Sequence, residues 1–366
     1  MTTESRPLPL GTVLAPAMPR PAARERRPEP ADGLRTMLRQ VEDLLAGLLS
    51  DQLARWAGID DRAAVPVREV ARLIAAGGKR LRPRFCLAGY LAAGGRAAGR
   101  GAGAGSGGAG TAARRGPHPR RHHGESEERR ARPTVHTAQT RIHRAHRWQG
   151  GAARYGESVA ILAGDLAWVY ADQLMADLPA AAKADWFELR TELVAGQMLD
   201  LSAAAEGVPD PRLARVVADL KSGRYTIMRP LLLGAALADR PDLATPFEAY
   251  GAALGEAFQL RDDLIDAFGD SSLSGKPARQ DFGNARMTLL LSAAMQHDER
   301  IGELVRSGDP AELGERLAAT GARAAVEERI GGLVREAQIA VRTADLDPPW
   351  QSELAGYAVE IAYRER

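Results

Sequence analysis

Apolar residues recur at three- and four-residue spacing along most of the chain. The first stripe is Leu34, Met37, Leu38, Val41, Leu44, Leu45, Leu48 and Leu49. Such spacing lines one side of an amphipathic helix. The same period returns over 67–75, 158–178, 186–201, 213–220, 245–268, 287–295 and most of 311–362. Pro209, Pro211, Pro241, Gly269 and Pro310 punctuate these runs, as residues that end helices or cannot continue them. No segment alternates with period two over strand length, and no fixed-period repeat occurs. The pattern therefore predicts one large all-α domain.

Composition narrows the picture. The chain has 366 residues, 45% of them hydrophobic and only 5% aromatic, enough apolar mass for a sizeable core and a mix that favours helices over sheets. Basic residues number 49 against 47 acidic, a net charge of +2. That balance argues against a whole-protein nucleic-acid binder while leaving room for a local basic arm. Cys86 is the single cysteine, which excludes an intrachain disulfide and a Cys-based zinc cage. The most apolar stretch, 158–171, is broken by Asp165, so no membrane span is expected. The first 30 residues hold seven prolines and no apolar core of a secretory signal, and the expected setting is cytoplasmic. Residues 1–32 are expected to be a disordered Pro-rich tail, and 33–366 the folded domain.

One segment departs from the rest. Residues 94–124 carry eleven of the 38 glycines, six arginines, three of the seven histidines and no acid. By composition it is a flexible basic linker.

Two clusters carry chemistry. In Gly77-Gly78-Lys79-Arg80-Leu81-Arg82-Pro83, three cations follow two glycines. Arginine offers a planar fork and lysine a mobile point charge for phosphate oxygens; the alternative is a solvated basic helix start. In Phe258-Gln259-Leu260-Arg261-Asp262-Asp263-Leu264-Ile265-Asp266, a helix places Asp262 and Asp266 one turn apart with Asp263 beside them. Hard carboxylate oxygens with open positions suit Mg²⁺; the alternative is an acidic surface face. Apolar flanks argue against a freely solvated helix. Together, the cations and carboxylates suit a diphosphate bridged to Mg²⁺ on one side and held by Lys and Arg on the other.

These motifs resemble those of the trans-isoprenyl diphosphate synthases, the polyprenyl synthetase family. Gly77–Pro83 is similar to the family's GGKRLRP signature, and Phe258–Asp266 to its second aspartate-rich motif. Arg129–His136 is similar to RRGxPTxH, with Ala131 in place of Gly. Gly164-Asp165, Gly196–Asp200, Lys221–Thr226 and Gly275–Pro277 follow in the family's order, so the likeness runs from about residue 34 to the C-terminus. The KSGRYT and SGKP forms are most like geranylgeranyl diphosphate synthases of actinobacterial type.

The resemblance implies a single helical domain around a central cavity, a homodimer, Mg²⁺ as cofactor, and head-to-tail prenyl transfer. In that reaction the allylic diphosphate departs and the double bond of isopentenyl diphosphate attacks the allylic cation. Carried over by position, Lys79, Arg82 and Arg130 bind isopentenyl diphosphate, and Arg129 and Lys221 hold the allylic diphosphate. Asp262, Asp263 and Asp266 ligate the metal, with Gln259 beside them. Lys276 supports the leaving group. Ser222 stands where Thr is frequent, and Arg286 where the family has Lys, keeping charge but changing geometry. Asp262, Asp263, Lys221 and Arg129 are the residues expected to carry catalysis.

The family's first aspartate motif, a His followed by DDxxD, is absent. In its place stands Gly116-Pro117-His118-Pro119-Arg120-Arg121-His122-His123-Gly124. Read one base later, codons for these nine residues permit Ala-Leu-Ile-His-Asp-Asp-Ile-Met-Asp/Glu. The missing motif is then restored four residues before the Arg129-Arg130 pair. The reading is that residues from about 96 to 124 are a frameshift product closed by a second, compensating shift. A diverged loop in a non-catalytic homologue is the alternative. Without these carboxylates the chain is expected to be impaired as a prenyltransferase of C20-class product. The competing function is a catalytically silent partner subunit of an active synthase. A nucleic-acid arm over Arg96–His123 is disfavoured, because its arginines are scattered among glycines; no nucleic-acid partner is expected. A terpene cyclase would leave Lys79 and Arg82 without a purpose.

Overall fold

Helix α1 (Pro30–Ala57) carries the first predicted stripe, with Leu34, Met37, Val41, Leu45 and Leu49 buried. Leu44 lies at the edge of the stripe, 38% exposed. The computed structural model describes residues 29–96, 128–129, 132–206, 210–268, 288–307 and 310–364. Of the expected tail, residues 1–28 lie outside the described residues, and 30–32 belong to α1. Pro30 at the first helical position has no N–H to lose, and Asp32 meets the positive end of the helix dipole.

Helices α2 (Val65–Ala75) and α3 (Leu81–Ala92) follow. Beyond residues 97–127, which include most of the Gly/Arg-rich segment and lie outside the described residues, a small hairpin pairs β1 (Glu128–Arg129) with β2 (Arg132–Pro133). Its strands are too short to show in any periodicity. Then come α4 (Val135–Ala145), α5 (Ala152–Met175), α6 (Ala180–Glu206) and α7 (Pro211–Ala218). Asp210 caps α7 by accepting from the backbone N–H groups of Arg212 and Leu213. The winding then changes. Asp219–Met228 is a π-helix, which passes directly into α8 (Arg229–Leu237). The remaining helices are α9 (Ala244–Phe268), α10 (Leu289–His297), α11 (Arg300–Ser307), α12 (Pro310–Ala319), α13 (Ala322–Arg342) and α14 (Pro348–Ala362).

The all-α expectation holds, with the two-residue strands as the sole extended pairing among the described residues. Helix α8 was not legible as amphipathic, because Pro230, Leu231, Leu232, Leu233, Gly234 and Ala235 are buried in succession. Helix α9 runs through the middle of the main core, packed on α13 and on the π-helix, while α3 packs on α8. The Tyr250 hydroxyl donates to the Leu354 carbonyl at 2.8 Å, tying α9 to α14. No described helix is long and apolar enough to cross a membrane.

Candidate active site

The three cations that adjoin in sequence diverge in space. Gly77 and Gly78 take φ values of 69° and 148°, a turn that side-chain-bearing residues enter at a cost. Lys79 is exposed at its end. Arg80 turns back to α1, where its Nε lies 2.9 Å from Glu42. Arg82, inside α3, points into the bundle. Its guanidinium sits 4.1 Å over the Tyr225 ring, and Nη2 donates to Thr226 Oγ1 at 3.2 Å. Its Nε is buried without a hydrogen-bond partner among the described residues. No carboxylate among the described residues pairs with Arg82. Burial pulls the guanidinium pKa below the ordinary arginine value, and Tyr225 opposes this only partly. A desolvated cation facing a ring and one hydroxyl is an incomplete arrangement, which an anion would complete.

Tyr225 and Thr226 belong to the π-helix, and so do Lys221 and Ser222. Lys221 is buried, and its Nζ lies 2.5 Å from Asp200 Oδ2 on α6. Gln197, three residues before Asp200, has both amide atoms buried and without a hydrogen-bond partner among the described residues. Further ion pairs tie the π-helix and the start of α8 to the same helix α6. Buried Glu192 accepts from Arg224 Nη1 at 2.8 Å and from Arg229 Nε and Nη2 at 2.7 Å each. Burial works to raise the Glu192 pKa, but the hydrogen bonds and charges of Arg229 and Arg224 outweigh it, and the net shift is downward.

The π-helix meets α9 backbone to backbone. A Cβ placed on Gly255 would lie 2.4 Å from the Gly223 Cα, so glycine is required at this crossing. One turn further along α9 comes Gln259, followed by Asp262, Asp263 and Asp266. Seven residues of α-helix separate Gly255 from Asp262, about 10 Å along the axis. Arg82 and Lys221 are thus carried by, or rest upon, the element that packs on the acidic helix.

The carboxylates differ in role. Asp263 is buried; its Oδ1 accepts from Gln259 Nε2 at 2.7 Å and its Oδ2 from the Leu290 N–H at 3.2 Å, at the start of α10. Asp262 is half exposed, and its Oδ1 lies 2.6 Å from Arg364 Nη2. Asp266 is half-buried. Among the described residues no three carboxylate, histidine or cysteine side chains converge on a metal-sized point. The donor set still fits Mg²⁺. Asp262 and Asp266 offer hard oxygens on one helix face, and this ion keeps several waters or substrate oxygens in its shell.

Arg130, Lys276 and Arg286 and the side chain of Arg129 lie outside the described residues. Three partners were not singled out in the sequence: Asp200 on Lys221, Tyr225 beneath Arg82, and Arg364 on Asp262. The first two lie within quoted motifs. No local signal marked the third.

The Polyprenyl synthetase family model matches residues 124–315, just over half of the chain. Geranylgeranyl pyrophosphate synthase from Corynebacterium glutamicum, solved with isoprenyl diphosphate and magnesium, superposes with a TM-score of 0.83 at 32% identity. That likeness covers 90% of this chain and 99% of the other. The (2E,6E)-farnesyl diphosphate synthase of Mycobacterium tuberculosis is 30% identical over 210 residues, 56% of this chain and 54% of that protein. The chain spans about half the length of this curated relative. The all-trans-nonaprenyl-diphosphate synthase of Rhodobacter capsulatus is 26% identical over 302 residues, 79% of this chain and 82% of its own length. On these likenesses and the isoprenoid synthase fold they share, the chain belongs to the polyprenyl synthetase family.

Proposed function

We propose that the chain is a prenyltransferase that condenses isopentenyl diphosphate head-to-tail with an allylic diphosphate, forming a product of the C20 class. The observation that carries this reading is Arg82, packed against Tyr225 with a buried Nε that has no hydrogen-bond partner, and no balancing carboxylate, among the described residues. A diphosphate oxygen supplies what that guanidinium lacks. Lys79 and Arg130 join Arg82 in holding isopentenyl diphosphate. Arg129 and Lys221 hold the allylic diphosphate, and Asp200 keeps the Lys221 ammonium in place. Ser222 and Gln259 line the allylic end, and Lys276 and Arg286 take up charge on the departing diphosphate. Asp262 and Asp266 would hold Mg²⁺, with Asp263 behind them bracing Gln259 and α10; a bound Mg²⁺ neutralises part of the diphosphate charge.

Residues 97–124 lack the carboxylates that, by family likeness, face this site from the other side. The family match begins at residue 124, where the Gly/Arg-rich segment ends, as either a frameshift or a diverged loop would give. Electrostatic terms of this kind are worth several kcal/mol each, so turnover of the chain as written is about a thousandfold below that of the frame-restored chain. The test is prenyl transfer from isopentenyl and farnesyl diphosphates with Mg²⁺, followed by product mass, on both forms. Equal turnover by both overturns the impairment. Binding of isopentenyl diphosphate by both, without turnover by either, supports the silent-subunit reading, which the absent first aspartate motif favours. A homodimer is supported by an apolar face on neighbouring helices: Ile161, Leu162 and Val169 of α5 and Phe187, Val194 and Met198 of α6 are each more than half exposed. Sedimentation equilibrium tests it.

A further inference from the structure

The chain from Glu128 to Glu157 holds seven arginines and three histidines between those two acids, and no other acid. Part of this charge gathers at the turn between α4 and α5. Every residue from Arg144 to Gly151 is exposed. Some exposed arginines elsewhere face carboxylates, as Arg62 faces Asp60 and Arg329 faces Glu256. Arg144, Arg147 and Arg154 pair with no carboxylate among the described residues. Arg147 holds φ at 52°, a backbone conformation usually left to glycine. Beside it Trp148 is 45% exposed. The indole is set in position by stacking on His146 at 5.2 Å and by edge contact with Tyr155 at 5.3 Å.

An exposed indole among unneutralised guanidiniums matches the water–lipid boundary of an anionic membrane. There the indole enters the headgroup layer and the arginines meet phosphates. We propose that the α4–α5 turn is a docking surface for anionic lipid headgroups, placing the protein against a membrane. Nucleic acid would use the same cations but would not need the indole to enter an apolar layer. The proposal stands apart from the prenyltransferase reading and can fail without it.

The test is flotation of the full chain with phosphatidylglycerol/phosphatidylcholine vesicles and with phosphatidylcholine alone. Binding is expected to the anionic vesicles only, and to be lost at high salt. The triple variant R144Q/R147Q/R154Q is expected to lose about 100-fold in partitioning, at roughly fivefold per arginine. Brominated acyl chains should quench tryptophan emission in the natural chain and much less in W148F. The circular dichroism melt verifies that each variant is folded, and the charge reversal R144E/R154E provides a second loss of binding if the triple variant is not. Binding to anionic vesicles that survives both sets of arginine changes overturns the proposal. So does absence of vesicle binding, or binding to duplex DNA at concentrations where vesicles are ignored.

Discussion

Arg364 Nη2 lies 2.6 Å from Asp262 Oδ1, across 102 residues of sequence. The same guanidinium sits 4.0 Å over the Phe258 ring and donates to the Phe258 carbonyl. The C-terminal end of the described chain is thereby fastened to the first carboxylate of the acidic motif. Because Asp262 is half exposed, such a pair is worth less than about 1 kcal/mol. A cation arriving at Asp262 would displace it at small cost. Arg364→Ala should therefore lower the half-saturating Mg²⁺ concentration by up to about fivefold, measured by titration calorimetry with a diphosphate present. An unchanged or raised value would show that the pair does not compete with metal.

Arg82→Lys tests the buried cation directly. Lysine keeps the charge but loses the planar fork and the stack on Tyr225. Loss of one charge-assisted contact, about 1.5 kcal/mol, predicts roughly tenfold weaker binding of isopentenyl diphosphate. Calorimetry on the chain as written reads this without turnover. Undiminished affinity would remove Arg82 from the site.

Glu192 predicts a pH dependence. Its folded-state pKa lies below the ordinary glutamate value of 4.5. Its pairing with Arg224 and Arg229 thus contributes stability that is fully present above that value and is lost as pH falls through the folded pKa. Melting temperature should drop on acidification below about pH 4.5, and Glu192→Gln should make that slope shallower. Glu192→Ala leaves two guanidiniums facing each other. Breaking a buried pair costs roughly 3–5 kcal/mol, reduced here because the Arg224 side chain is 36% exposed; about 2–3 kcal/mol is expected at neutral pH by denaturant unfolding.

Gly255→Ala tests the crossing of α9 and the π-helix. Its Cβ would meet the Gly223 backbone, which no side-chain rotation relieves. A cost of about 1–3 kcal/mol is expected from overpacking. Gly47→Ala on α1, where nothing lies within 4 Å of the new Cβ, should instead stabilise by up to about 1 kcal/mol. Equal melting temperatures for the two variants would contradict the close crossing.

Most helices were legible because burial of one face imposes its period on the residues. The stripe from Leu34 to Leu49 maps onto α1 with only Leu44 strongly exposed. No predicted run covered α3, α4 or the small hairpin, and two further features escaped. Helix α8 is buried on all sides and carries no stripe, and the reading of 213–220 as one helix missed the change to π winding at Asp219. The π-helix packs on partners from other elements, Glu192 and Gly255, which local propensity does not encode.

The chemistry divides in the same way. Residue types and spacing alone determined that cations and carboxylates suited to a diphosphate and Mg²⁺ occur in an all-helical chain, because charge, donor geometry and helical period are local properties. Tertiary packing decided which charge faces which. Arg80 turns to Glu42, Lys221 to Asp200 and Arg364 to Asp262, and Arg82 is left without a carboxylate among the described residues. The physical reason is that charge balance in a folded protein is settled between neighbours in space, and here those neighbours lie 21 to 102 residues apart in the chain.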